Sequence, residues 1–89
     1  MKIAVWDTYV RRNDGRLMHF DILVPESLGD QKQIEGFGNQ YLTKKGIEVT
    51  SIKWERCNFC HIEHPSESTI TAINADGFSI IEMENCDSQ

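Results

Sequence analysis

The segment from Cys57 to Pro65 concentrates side chains that bind metals or carry redox chemistry. It reads Cys-Asn-Phe-Cys-His-Ile-Glu-His-Pro and holds two of the three cysteines and two of the three histidines of the chain. A Cys-x-x-Cys turn can present two thiolates to one tetrahedral ion, and imidazoles can supply further ligands. These donor types suit zinc or another borderline-soft ion. The first hypothesis is therefore a transition-metal site, with zinc as the expected ion, formed by Cys57, Cys60, His61 and His64.

Three other interpretations of this segment stay open. Cys-x-x-Cys-His is the attachment pattern of c-type haem. Haem is attached after export, however, and an acidic residue as early as Asp7 argues against a signal peptide. Cys57 and Cys60 could instead form a dithiol redox pair, although the motif precedes the next predicted helix by several residues. In the plainest interpretation both cysteines are small buried apolar residues, and the histidines lie in solvent.

A second cluster depends on two predicted strands, residues 2–10 and 17–24. Both runs are rich in β-branched and aromatic residues, with Asn-Asp-Gly between them. A two-residue loop would place charged side chains on the apolar face, whereas a three-residue loop with Gly15 in a left-handed bulge makes that face continuous. Because a slip by one residue turns every side chain over, burial selects the second register. That register pairs Val10 with Met18, Thr8 with Phe20, Trp6 with Ile22 and Ala4 with Val24.

The selected register also places Asp7 opposite Asp21 and Tyr9 opposite His19, on the face away from the core. Two carboxylates directly opposite each other repel. Such a pair can share a proton or a cation, and His19 can act as an acid or a base beside it. The plain alternative is a solvated sheet face on which basic side chains neutralise the acids.

The rest of the chain alternates helices and strands. A helix is expected to begin at residues 27–30, where either end can cap it, and to end before Gly46. Gly38 lies on its apolar stripe, which indicates either a close approach of the helix to the sheet or a broken helix. A third strand is expected at 48–54, followed by a loop at 55–65 that carries the Cys and His residues.

A second helix, 66–76, begins at a capping serine and is closed by Gly77; a fourth strand follows at 78–83. The order β-β-α-β-α-β predicts one α+β domain over residues 1–89, with two layers. Strands joined through a helix usually pair in parallel, so we expect a four-stranded mixed sheet with both helices on one face. The strand order does not follow from the pattern. The polar tail, 85–89, is expected to fray.

Composition limits the classes of function and partner. The chain is 39% apolar and 26% charged, which is typical of globular domains. Its net charge of −5 disfavours binding to nucleic acid or to anionic membranes. Three cysteines without a secretion signal argue against a disulfide framework and favour the cytoplasm. A homodimer through the open sheet face is a further hypothesis, because that face also carries Val5, Leu17 and Leu23.

Several runs of the sequence resemble the bacterial family of domains of unknown function designated DUF2024. They are Val5-Trp6-Asp7-Thr8-Tyr9-Val10, Asp14-Gly15-Arg16, Met18-His19-Phe20-Asp21-Ile22-Leu23-Val24-Pro25 and Cys57-x-Phe59-Cys60-His61. The resemblance spans nearly the whole chain, is most specific in the first hairpin and implies a compact α+β domain; it brings no activity, cofactor or substrate. The expected function is a binding or interaction module that holds a transition metal through the Cys-x-x-Cys-His segment. The alternative is a small enzyme or thiol-redox protein that uses the cysteine pair or the aspartate and histidine face.

Overall fold

A single four-stranded sheet organises the computed structural model, which describes residues 1–87. The strands are β1 (Ile3–Arg11), β2 (Leu17–Pro25), β3 (Lys53–Glu63) and β4 (Ser79–Glu84). Two helices, α1 (Gln31–Lys44) and α2 (Glu67–Asp76), and a short 3-10 turn (Val49–Ser51) connect them. The strand order is β3-β1-β2-β4, so β1 and β2 are central and β3 and β4 are the edges.

The first hairpin has the predicted register, because every predicted pair from Ala4–Val24 to Val10–Met18 is present. Gly15 has a φ of 90°, and the backbone N–H of Arg12 donates to the carbonyl of Arg16 at 2.9 Å, which closes the bulged turn. The register gives the sheet two distinct faces. We call the face with Ala4, Trp6, Thr8, Val10, Met18, Phe20, Ile22 and Val24 the inner face, and the face with Val5, Asp7, Tyr9, His19, Asp21 and Leu23 the outer face.

The predicted mixed sheet is wrong, since every neighbouring pair of strands is antiparallel. The strands β2 and β3, which are joined through α1, do run in the same direction, as the connection rule requires. They never pair, because β1 lies between them. The same rule fails at the second crossover, because β4 runs opposite to β3 although α2 joins them.

The two helices lie on opposite faces, and the prediction that both cover one face is also wrong. Ile34, Tyr41 and Leu42 of α1 belong to the main core cluster with the inner-face residues. Ile73 of α2 instead packs against outer-face residues at one end of the sheet, in a small cluster with Ile3, Val5 and Leu23. The remaining outer face, beyond α2, holds the second candidate cluster.

Helix α1 begins and ends as the sequence indicates. Asp30 is its N-cap and accepts a hydrogen bond from the backbone N–H of Lys32 at 3.1 Å. A Cβ added to Gly38 would lie 2.6 Å from Cη2 of Trp54 and 3.2 Å from Cδ1 of Ile22. The glycine therefore marks a close approach of an unbroken helix to the sheet.

The segment predicted as a loop at 55–65 is mostly strand, because β3 runs to Glu63. Its pairing with β1 shifts register twice, leaving Glu55 and Cys60 as the extra residues. These bulges and the edge position remove the apolar alternation by which a strand is recognised, and Cys57 is the one fully buried residue of β3.

The C-terminal residues 85–87 are held against the hairpin, contrary to the expectation that the tail frays. The side chain of Asn85 donates to the carbonyl of Leu17 at 2.7 Å, and Cys86 is buried. Nη1 of Arg12 donates to the carbonyls of Asn85 at 2.9 Å and Asp87 at 2.8 Å. Residues 88–89 of the predicted tail lie outside the described residues.

Neither helix of the described chain combines the length and the apolar character needed to cross a membrane.

Candidate functional site

Three side chains of the second cluster meet on the outer face. Nε2 of His19 lies 2.6 Å from Oδ1 of Asp7 and 3.8 Å from Oδ1 of Asp21. One ligand atom from each residue lies within 4.8 Å of the other two, and residues 1–87 contain no other group of three or more His, Cys, Asp or Glu side chains at such spacing. Cross-strand pairing of Asp7 with Asp21, with His19 on the diagonal, produces the arrangement.

Two further residues fix the imidazole and one carboxylate. The ring of Tyr9 stacks on His19 with centroids 4.1 Å apart and planes 10° apart. Arg56, opposite Tyr9 on β3, places its guanidinium carbon 5.2 Å from the Tyr9 ring centroid. Its Nη2 lies 2.9 Å from Oδ2 of Asp7, which leaves Oδ1 directed at His19. Arg56 was not predicted from the sequence. Strand alternation would have placed it on the outer face, but the bulges of β3 interrupt that alternation.

Ionisation of the Asp21 carboxyl is unfavourable in this cluster. Burial raises the pKa of this carboxyl above its usual value, and the neighbouring charge of Asp7 raises it further. His19 and His61 act in the opposite direction and offset part of that rise. The arrangement therefore brings two acids together on a half-buried surface, and the arginine that neutralises the cluster is bound to Asp7 rather than to Asp21.

We expect Asp21→Asn to raise the free energy of unfolding at pH 7 by about 0.2–1 kcal/mol, the usual size of a cross-strand pair effect. The raised pKa means that the folded protein holds this proton more tightly than the unfolded chain does. The penalty of ionised Asp21 therefore grows as the pH rises through the folded-state pKa and disappears in acid. Urea unfolding of both proteins at pH 7 and in acid measures the difference.

Asp7→Asn is the matched control for this prediction, since it removes a carboxylate that pairs with both His19 and Arg56. We expect it to leave stability unchanged or to lower it. Equal stabilisation by the two substitutions would show that Asp21 carries no particular penalty.

The structure distributes the Cys-x-x-Cys-His segment over both faces of β3. Cys57 is buried on the inner face, where the Thr8 hydroxyl donates to its Sγ at 3.5 Å and burial raises the pKa of the thiol. Cys60 is exposed at a bulge, and His64 is exposed beyond the strand. His61 pairs with Val5 and so lies on the outer face, where its charge lowers the pKa of Asp21. These four residues do not form one ligating group.

Comparisons with known proteins agree with the resemblance found in the sequence. The solution NMR structure of protein NE1680 from Nitrosomonas europaea, a structural genomics target, shares 40% sequence identity with this chain. The match covers 98% of this chain and 100% of that one, with a TM-score of 0.76. No curated protein matches the chain. The family described as "Domain of unknown function (DUF2024)" matches residues 1–83. The chain therefore belongs to the DUF2024 family.

Proposed function

We propose that this protein is a binding module that holds a divalent transition-metal ion between Asp7, His19 and Asp21. The observation that carries the proposal is the convergence of one imidazole nitrogen and two carboxylate oxygens within 4.8 Å. Imidazole and carboxylate together suit ions such as Zn²⁺, Fe²⁺ and Mn²⁺. Three protein ligands would leave coordination positions open for water or a small ligand, as in sites that act on a substrate.

The rigidity of the cluster supports the proposal. Stacking on Tyr9 orients the ring of His19, and a bound ion would replace the proton between its Nε2 and Oδ1 of Asp7. Arg56 holds the outer oxygen of Asp7 and so fixes the direction of the inner one. Side chains that support metal ligands in this way reduce the ordering needed on binding.

The energetics of Asp21 point in the same direction. A half-buried carboxylate placed opposite another carboxylate weakens the folded state, and a divalent cation would relieve that repulsion. Destabilising arrangements retained in a small domain are expected at functional positions.

The alternative ligand set in the Cys57–His64 segment has weaker geometric support. Cys57 is buried on the inner face, and burial raises the pKa of its thiol. Forming the thiolate that metal binding or redox exchange needs is therefore unfavourable. Cys60 lies in solvent at the bulge. A metal there would require β3 to rearrange, whereas the Asp7, His19 and Asp21 atoms already converge.

Calorimetric titration of the metal-free protein with Zn²⁺ and with Mn²⁺ tests the proposal. We expect one ion per chain, an affinity that falls as the pH is lowered because protons compete for the imidazole, and a loss of at least about 100-fold in His19→Ala. Cys57→Ser with Cys60→Ser is the matched control and should bind as the wild type does.

The ligand set follows from which variant loses binding. Loss in the double serine variant with retention in His19→Ala would transfer the site to the cysteine segment and refute the proposed ligands. Absence of binding in the wild-type protein would refute the proposed function itself.

A further inference from the structure

We propose that two copies of this chain associate through the free edge of β3, pairing antiparallel about a two-fold axis at Asn58. The partner is a second copy of the same chain, and the sheets of the two copies become continuous. The inference is independent of the proposed metal site. It rests on the exposure of this edge, on the direction of its backbone groups and on the self-complementarity of its charges.

The β3 edge is long, pairs with no further strand within residues 1–87 and is partly apolar. It contains 11 residues and lies at the end of the strand order. Phe59 and Ile62, which pair with inner-face residues of β1, are 52% and 41% exposed. An exposed apolar edge of this length is a template for another strand, and proteins normally cover or charge it.

The backbone of Cys57 points outward from this edge. The hydrogen bond from Arg12 N–H to Arg16 directs the even-numbered residues of β1 toward β2 and the odd-numbered ones toward β3. The pair of Thr8 with Cys57 is therefore not hydrogen-bonded. The carbonyl of Cys57 instead accepts from Nε2 of Gln31 at 3.0 Å, and its second lone pair can accept from another strand.

A two-fold axis at Asn58 brings outward-pointing residues together. Cys57 lies opposite the partner's Phe59, and Trp54 lies opposite the partner's Ile62. All four pair with even-numbered residues of β1, so their backbone groups face the new strand. Their side chains share the inner-face side, where the contact would cover both exposed apolar residues.

The same register matches opposite charges. Lys53 lies opposite the partner's Glu63, and by symmetry Glu63 lies opposite the partner's Lys53. Exposed ion pairs of this kind determine register more than affinity.

The other edge lacks this complementarity. Strand β4 contains Glu82 and Glu84 and no basic residue, so pairing with itself would bring together like charges only. The outer face is also a poorer dimer surface than the sequence indicates. Two of the apolar residues that favoured it, Val5 and Leu23, are buried beneath α2.

Disulfide trapping tests the register, in a Cys60→Ser background that removes the exposed native thiol. Asn58→Cys would meet its own copy in a non-hydrogen-bonded pair with Cα atoms about 4.5 Å apart, within disulfide range. We expect a covalent dimer on mild oxidation. Glu63→Cys is the matched control on the same strand. It should give little covalent dimer, because the residue opposite it in the partner is Lys53.

Sedimentation from micromolar to millimolar concentration tests the association itself. We expect the wild type to approach twice the 10.3 kDa chain mass. Lys53→Glu and Glu63→Lys should each weaken the dimer about tenfold, and the double exchange should restore it. A monomer throughout this range would overturn the proposal. The proposal would also be overturned if the protein is a dimer but Asn58→Cys forms no more covalent dimer than Glu63→Cys does. That result is expected if the copies associate through the outer face.

Discussion

Replacing Arg12 with alanine should lower the free energy of unfolding by about 2–4 kcal/mol, because a buried charged donor and its packing are lost together. The Arg12 side chain is 1% exposed, and its Nη1 donates to the backbone carbonyls of Asn85 and Asp87. In the variant, both carbonyls lose this donor and the C-terminal residues lose a main attachment to the hairpin. Chemical denaturation measures the free energy, and amide exchange at 85–87 reports the loss of the attachment.

Arg16→Ala is the matched control in the same turn. Arg16 is 40% exposed and pairs with the side chains of Asp14 and Asp87, so we expect a change below about 1 kcal/mol. Asp87→Ala should also have a small effect, because Arg12 hydrogen-bonds the main chain of that residue at 2.8 Å, whereas its exposed carboxylate lies 3.7 Å from Nη1 of Arg12. Comparable losses in all three variants would show that surface charge, and not the buried contact, holds the tail.

The first hairpin could be predicted from the sequence because its register follows from local alternation. The Asn-Asp-Gly turn allows two registers, and burial of Phe20 and Ile22 distinguishes them. The positions of Asp7, His19 and Asp21 follow from the same register, so the candidate site was predictable to the extent that the hairpin was. Helix capping by Asp30 and Ser66 is equally local, since each side chain bonds a backbone N–H within its own first turn.

The features that the sequence did not predict depend on contacts between distant segments. Insertion of β1 between β2 and β3 makes the sheet wholly antiparallel although the connection through α1 is a normal crossover. The connection through α1 leaves β2 and β3 in the same direction, whereas β4 runs opposite to β3 although α2 joins them, so neither the direction nor the neighbour of a strand follows from its connection alone. Arg12 appears in the sequence as one more charged turn residue, and its burial arises from a tail more than 70 residues away.

The cysteine segment shows the same difference between spacing along the chain and position in the sheet. Cys57 belongs to the inner face because it pairs with Thr8, and Cys60 is an inserted residue at a bulge. Spacing along the chain made them resemble one ligand pair. Strand alternation separates them, and it brings Arg56 and His61 to the outer face instead.

Substitutions at two glycines of α1 should change stability in opposite directions. Gly38→Ala should lower the free energy of unfolding by about 1–3 kcal/mol, the usual cost of overpacking a core. The added Cβ would lie 2.6 Å from the Trp54 ring and 3.2 Å from Ile22, so either the indole or the helix has to move. Gly36→Ala should instead raise the free energy of unfolding by about 0.5–1 kcal/mol, because alanine favours the helix and no atom from outside the helix lies within 4 Å of the new Cβ.

The pair isolates the helix–sheet contact, since both substitutions occur in one helix and share the same gain in helix propensity. Thermal and urea unfolding give the two free energies, and the NMR signal of the Trp54 indole N–H, which is resolved from that of Trp6, reports whether its ring is displaced. If Gly38→Ala stabilises the protein as Gly36→Ala does, the indole yields without cost and the close approach does not fix the position of α1. If Gly38→Ala is destabilising, Gly38→Ser should be at least as harmful, because its side chain adds a hydroxyl beyond the same Cβ.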